Sequence, residues 1–384
     1  MDFSLSDYQQ DLIRNMENFA RKEMAPLAYE LDRDSKFSME LWGKMGELGL
    51  PGLTIPEQYG GSGMGALDSC LCLQGLGRGG GDTGTNLSLG AHITIANMPI
   101  VLFGTEAQKQ KYLPRMATGE WIGGMGLTEP GAGSDAGALQ TRAERRGDHY
   151  VLNGTKMFIT NGPTGTVFIV MARTDKNSKG SRGVSAFIVE KDFPGFAVGK
   201  KLEKMGNRAS PTSELIFEDC LVPVGNIIAS EGEGFTKVGQ GALEWERVVQ
   251  MGFWLGTMEY SLELSIEYSR QRVQFKKPIC EFQAIRHKLA MMKLDIDATA
   301  LLVYRAAYLK DLNRWSDTEA SIAKLYLSQA IMRNVTEAVQ IHGGYGLMKE
   351  YAVERNFRDA KLTEVGGGTS EIQKDIIARN ILKK

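Results

Sequence analysis

The chain has 384 residues, with 45 lysines and arginines balanced by 46 aspartates and glutamates for a formal net charge of −1. That balance excludes bulk electrostatic attraction to nucleic acid or to an anionic membrane. A length of 384 residues also exceeds what one hydrophobic core organises, so two or three domains are expected. The cysteines, Cys70, Cys72, Cys220 and Cys280, are too scattered for a disulfide framework and read as free thiols. The N-terminal stretch carries acids and no basic segment, so it reads as an amphipathic helix and not as a targeting peptide. No uncharged run approaches the ~18 apolar residues of a membrane span, and the expected setting is cytoplasmic.

Residues 1–119 read as helices separated by turns. Leu5, Tyr8, Leu12, Ile13, Met16 and Phe19 recur at three- and four-residue steps, which predicts one buried helical stripe. "FSMELWGKMGELGL" predicts a second helix ending at glycine, "PEQYGGSGMGALD" a loop, Asp68 to Leu76 a further helix, and "TEAQKQKYLPRMATGE" a short capped one. Across 120–236 the pattern changes to β-rich runs such as "HYVLNG", "TVFIVMART" and "SELIFEDCLVP". Asn153–Gly154 between two apolar runs predicts a hairpin turn. No helical period separates the strands, so a mainly antiparallel barrel or sandwich is expected. Across 237–384 three long helices and a short terminal one predict a four-helix bundle. The expected class is therefore α+β, with a helical domain (1–119), a β domain (120–236) and a bundle (237–384).

The glycine-rich "TEPGAGSDAG" at 128–137 is not a dinucleotide fingerprint, because no βαβ unit surrounds it. It offers backbone amides beside Thr128 and Ser134, able to bond a polar ring edge or a phosphate. Histidines and cysteines show no metal-ligand spacing, so no metal is expected. Read alone, Phe158 is a strand core residue, His342 a packing residue at the bundle end, and "LAMMKLD" core filler.

Eight stretches in one order carry a stronger signal: "PEQYGGSGM", "GTEAQKQKYLP", "GLTEPGAGSDAGAL", "LNGTKMFITNG", "FEDCLVP", "RQRVQFKKPICEFQ", "AVQIHGGYG" and "RDAKLTEVGGGTSEIQ". Together they resemble the acyl-CoA dehydrogenase family over essentially the whole chain. The resemblance implies the same three-part fold, FAD held between the β domain and the bundle, and a homotetramer (a dimer of dimers) in which a neighbouring subunit completes the FAD site. It further implies an acyl-CoA substrate and an electron-transferring flavoprotein as electron acceptor. By motif, Met125, Leu127 and Thr128 are placed at the flavin edge, Gly133 and Ser134 at the pyrophosphate, and Phe158 and Thr160 against the ring system. Arg272, Gln274, Phe275, Gln283, Gln340, Gly343 and Gly344 are placed at a partner's FAD, and Thr369 and Glu371 also at the cofactor. Lys276 departs from the glycine usual in that loop.

The family reaction removes an α proton from an acyl thioester while a hydride leaves the β carbon for flavin N5. It needs a carboxylate base with a raised pKa and donors for the thioester oxygen. Many relatives carry that glutamate immediately before "GTS", where this chain has Gly367. Gly367 still keeps an N–H for the thioester oxygen, and Ser370 with Gln373 resembles a capping box for the last helix. Other relatives, the isovaleryl-CoA and long-chain enzymes, place the base on the first bundle helix, and "LEWER" matches their motif with Glu246 at that position. Glu244 and Arg247, three apart, are expected to pair and to contact substrate together with Ser134. Glu364 is the rival base. Glycines at 366–367 suggest room for a branched, cyclic or bulky acyl group, with Trp245 and Trp254 able to refill it. Two other readings keep the flavin: desulfination, decarboxylation or carrier-protein thioester oxidation on the same fold, or a non-catalytic flavin-binding protein.

Overall fold

The computed structural model describes residues 4–178, 180–314 and 317–383. Its first part is helical: α1 (Asp7–Phe19), α2 (Ala28–Arg33), α3 (Met39–Glu47), α4 (Ala66–Arg78), α5 (Thr83–Ala91), α6 (Asn97–Phe103) and α7 (Glu106–Ala117). Local chemistry sets the starts of α1 and α7. Ser6 with Gln9, and Thr105 with Gln108, each form a reciprocal capping box. Of the predicted stripe on α1, Ile13 is buried, and Leu12, Met16 and Phe19 pack on the core. Tyr8 does not join them; it is 55% exposed.

One segment of this part is membrane-like in composition. Thr83–Phe103 spans 21 residues and is long and apolar enough to cross a membrane. Here it is a core segment, with 72% of its apolar window buried inside the protein. The π-turn His92–Ala96 interrupts it. Buried His92 accepts from Gly123 N at 2.9 Å and donates to Met116 O at 3.0 Å, tying the segment to the first strand. Desolvation pushes the His92 imidazole down to about 4, so it stays neutral in this role.

The middle part is a sheet of β1 (Gly123–Gly126), β2 (Arg142–Arg146), β3 (His149–Thr160), β4 (Val167–Arg173), β5 (Val184–Glu190), β6 (Phe196–Lys201), β7 (Thr212–Pro223) and β8 (Ile227–Ile228). Its order is β6-β7-β3-β2-β4-β5-β8, with β1 added against β4. Most pairs are antiparallel as expected, but β1–β4 and the single β2–β4 contact are parallel. The hairpin signal at Asn153–Gly154 is misplaced. Both residues lie inside β3 at a register irregularity, and Asn153 exchanges bonds with Asp219 on β7. The turn is one step earlier, at Gly147–Asp148, where Arg146 faces His149 across a two-residue loop.

The last part holds α8 (Gln240–Val249), α9 (Met251–Gln271), α10 (Gln283–Asp311), α11 (Asp317–His342), α12 (Ala352–Ala360) and α13 (Ser370–Leu382), with a small two-strand ribbon, β9 (Val273–Gln274) and β10 (Lys277–Pro278), after α9. The bundle does not form a separate core. The largest apolar cluster joins α1, α3 and α4 to α8–α11. Backbone contact between α4 and α9 makes this joint tight: a Cβ at Gly252 would stand 2.0 Å from Cys70 O, and one at Gly256 would stand 2.1 Å from Gln74 O.

All three parts also meet at α12. Asp359 accepts from Thr83 Oγ1 and Asn207 N, and Arg358 pairs with Asp32 at 2.7 Å. This junction fixes the chain entering the loop at 364–369. Overpacking a core contact costs roughly 1–3 kcal/mol. We therefore expect Gly252→Val to lower stability toward urea by about 3 kcal/mol or more, because the clash is with backbone. An unchanged midpoint would show that α4 and α9 can separate freely.

Candidate active site

The sequence of α8 places Glu244 and Glu246 on opposing sides and Arg247 beside Glu246. The structure then brings α8 under the loop that precedes α13. A Cβ built on Gly367 would lie 3.4 Å from Glu246 Oε2 and 3.5 Å from its carboxyl carbon. The helix carboxylate therefore reaches the space where a side chain on the loop would begin. Desolvation pushes the Glu246 pKa up, partly offset by the nearby charges of Arg247 and Lys324. Glu364 does not compete for the space, because its carboxylate bonds Lys361.

The loop itself is held through its carbonyls. Arg247 Nε donates to Gly367 O at 2.9 Å, Gln373 Nε2 to Gly367 O and Gly368 O at 3.1 Å each, and Lys324 Nζ to Gly368 O at 2.7 Å. Gly367 and Gly368 have φ of +64° and +96°, a conformation that favours glycine. Among the described residues neither Gly367 N–H nor Gly368 N–H has a hydrogen-bond partner. A carboxylate with raised proton affinity thus lies next to free backbone donors.

Two expected pairings differ. Glu244 does not bond Arg247; it pairs with Lys310 at 3.2 Å, while Arg247 turns to the loop carbonyl. The cap of α13 is Thr369, which accepts from Ile372 N, so Ser370 and Gln373 form no capping box. Gln373 is used on the glycine carbonyls instead. Ser134, Glu244 and Arg247 nevertheless line one cavity of about 520 Å³, together with Phe235 and Arg379.

The β domain holds a second group of the motif residues. Phe158 is 65% exposed with φ of +61°, at a register shift in β3, and so is not the core residue its type suggests. It offers a bare aromatic face next to partly buried Thr160. Met125 points into the core, leaving only its backbone available. Thr128 keeps both its N–H and its hydroxyl without a partner among the described residues. Gly133 is exposed and a Cβ there would meet nothing within 4 Å. These unpartnered groups and the exposed ring fit a flavin laid against β3.

Similarity to known proteins identifies the family. Family profiles described as acyl-CoA dehydrogenase N-terminal, middle and C-terminal domains match residues 6–120, 124–220 and 232–382. This chain belongs to the acyl-CoA dehydrogenase family. It is 44% identical to a short-chain-specific acyl-CoA dehydrogenase of Clostridium acetobutylicum over 384 residues, covering 100% of each chain. Among solved structures, butyryl-CoA dehydrogenase from Megasphaera elsdenii matches with TM-score 0.96 at 43% identity, over 100% of both chains. A structure described as the electron transferring flavoprotein of Acidaminococcus fermentans contains a chain matching with TM-score 0.97 at 43% identity, again over 100% of both. The protein is thus an oxidoreductase acting on CH–CH groups, with FAD as cofactor.

In this acyl-CoA dehydrogenase several of the remaining motif residues gather in a different cavity from Glu244 and Arg247. Arg272, Gln274, Gly343 and Gly344 line a second cavity of about 540 Å³, with His342 and Tyr345. Arg272 has its guanidinium 5.7 Å from the Tyr345 ring centroid and no acidic partner among the described residues, so it is free for an anion. His342 stacks on Tyr268 at 4.3 Å, a packing role as expected. Phe275, Gln283 and Gln340 lie outside that lining; Phe275 is fully offered to solvent beside Lys276, both with positive φ. Glu371 is exposed at the start of α13.

Residues that motif reading missed are supports. Buried Lys156 pairs with Glu129 at 2.7 Å and donates to Leu127 O at 3.1 Å. Burial pushes Glu129 up, but Lys156 and the backbone donors of Gln140 and Thr141 outweigh it, so its pKa falls below the ordinary value. The pair fixes the Leu127–Glu129 segment. Lys324 is the other, and its signal was a lone cation among small and apolar residues in "ASIAKLYLS". An L-residue at φ near +60° costs about 1–2 kcal/mol. Gly367→Ala is therefore expected to lower stability by that amount, and Gly366→Ala, whose φ is not positive, by less. Equal urea midpoints for the two variants would contradict the conformational argument.

Proposed function

We propose that this enzyme oxidises the α,β bond of a short acyl-CoA thioester to the trans-2-enoyl thioester, with Glu246 as the α-proton base. The observation that carries the reading is the Glu246 carboxylate standing at the side-chain position of Gly367. Gly367 N–H is the donor assigned to the thioester oxygen, and Ser134, Glu244 and Arg247 line the approach for substrate. FAD, when bound, supplies the hydride acceptor. Phe158, Thr160, Leu127, Thr128 and Gly133 are assigned to its ring and pyrophosphate, and Thr369 to the α13 end of the site. Phe158 shields that face from water, and Glu246 takes the proton to its carboxylate oxygen.

The acyl group is assigned as short and unbranched. The case for a bulky group rested on volume freed at Gly366–Gly367, and the Glu246 carboxylate takes up that volume. The short-chain and butyryl-CoA relatives support the same reading. Likeness to the chain in the Acidaminococcus structure supports an electron-transferring flavoprotein as acceptor. Enclosure of the apolar segment 83–103 within the protein supports a cytoplasmic setting.

A general base contributes about 10²–10⁴ in rate. Glu246→Gln is expected to retain FAD and lose reduction of the flavin by butyryl-CoA within that range. Because only the carboxylate form accepts a proton and its pKa is raised, the wild-type rate should fall with decreasing pH already above the ordinary carboxylate range. Stopped-flow bleaching across pH checks both. Near-wild-type rates in Glu246→Gln would remove the base, and preference for isovaleryl- or cyclohexanoyl-CoA would remove the short-chain assignment.

A homotetramer is supported by α10, where Met291, Leu294, Leu301 and Tyr308 form an exposed stripe at three- and seven-residue steps, continued by Leu312 just past the helix. Arg272, Gln274, Phe275, Gln283, Gln340, Gly343 and Gly344 are assigned to the adenosine diphosphate of a partner's FAD. Replacing Leu294 and Leu301 with glutamate should dissociate the oligomer in sedimentation and weaken FAD retention. A tetramer that persists would place the interface elsewhere.

A further inference from the structure

Lys324 lies on α11 with 1% exposure, yet nothing in the reaction assigned above requires it. An ammonium buried this way is costly unless its bonds are needed. Among the described residues its ammonium makes one hydrogen bond, to Gly368 O, the second clamped carbonyl of the loop. A trans peptide points its C=O and the following residue's N–H in opposite directions, and three glycines in a row have the freest of backbones. Fixing both carbonyls removes that freedom: it sets the Gly368 and Thr369 N–H groups, which share peptides with the clamped carbonyls, and anchors Gly367, whose own N–H belongs to the preceding peptide. Of the three side chains holding the carbonyls, Arg247 and Gln373 come from elements flanking the site, and Lys324 alone comes from α11.

We propose that Lys324 is a positioning residue for proton abstraction, anchoring the glycine loop at the Gly368 carbonyl so that Gly367 stays placed to offer its N–H to the thioester oxygen, while the ammonium charge stabilises the carboxylate of Glu246. The inference rests on the assignment of Glu246 as base. The charges in play can be named. Glu246 faces Arg247 on its own helix and Lys324 on α11. Lys324 faces Glu246 and Arg247 on α8, Glu364 after α12 and Glu371 on α13. Removing the ammonium leaves Arg247 as the cation beside Glu246 and frees the end of the loop. Two consequences follow, one electrostatic and one geometric.

The test uses the FAD-loaded enzyme with butyryl-CoA as reductant, and crotonyl-CoA against its thioether analogue as a pair differing in the carbonyl. In Lys324→Met the acid limb of the flavin-reduction rate should move up by about one pH unit. The preference for the thioester over the thioether should fall about tenfold. Lys324→Gln, which keeps a donor but no charge, should show the limb shift with the preference largely retained, and it serves if the methionine variant does not fold. A limb and a preference that both match wild type in either variant would overturn the proposal. Should Glu246→Gln retain wild-type reduction, the base assignment falls, and the thioester preference of Lys324→Met then decides the clamp alone.

Discussion

The site depends on one close approach, that of a helix-borne carboxylate to a loop without side chains. Glu246 reaches Gly367 because α8 passes under the loop, and α8 is held there by the tight crossing of its continuation, α9, with α4. A carboxylate placed this way is desolvated, which raises its affinity for protons and suits it to a weakly acidic carbon. The nearby charges of Arg247 and Lys324 act against that rise. Proton affinity at Glu246 is therefore set by packing and by two cations together.

The rest of the fold can be understood as what keeps this approach constant. The N-terminal helices and the bundle share one apolar cluster, so the α8–α9 unit cannot shift without opening a core. Asp359 and Arg358 on α12 bind the first helical part and the β part in the turn before the glycine loop. The buried Glu129–Lys156 pair fixes a segment of the β domain in the same way. Buried ion pairs add little net stability. Their placement is better explained by geometry: one holds the Leu127–Glu129 segment, and the other ties α12, ahead of the glycine loop, to the N-terminal helices.

Much of the architecture was legible in the residues. Helical and strand periods separated the three parts, and the capping boxes at Ser6 and Thr105 marked two helix starts. Local signals failed where tertiary partners outbid them. Asn153–Gly154 has turn chemistry, but the Asn153 side chain is better used on Asp219 across the sheet. Ser370–Gln373 has cap spacing, but Gln373 is needed by two carbonyls and Thr369 takes the cap. Glu244 and Arg247 have the spacing of a pair, but Glu244 is taken by Lys310 of α10 and Arg247 by the Gly367 carbonyl of the loop. The 83–103 segment reads as membrane-like in composition because a core helix enclosed by protein and one enclosed by lipid need the same residues. Motif matching located Glu246, yet the side chains that hold the loop carry no local pattern, because they converge from α8, α11 and α13.

Placing the carboxylate on the helix also changes what the loop must be. A loop residue that is itself the base needs a side chain, and its backbone is steadied by the packing of that side chain. A loop that supplies only amides needs the reverse: no side chain extending into the space the helix carboxylate occupies, and a backbone conformation with positive φ. Glycine meets both demands but surrenders rigidity. The carbonyl clamp of Arg247, Gln373 and Lys324 restores it from outside. The missing side chain at Gly367, the half-buried acid at 246 and the buried cation at 324 are then three parts of one arrangement, in which an acid on the helix and not on the loop makes external support of the loop necessary.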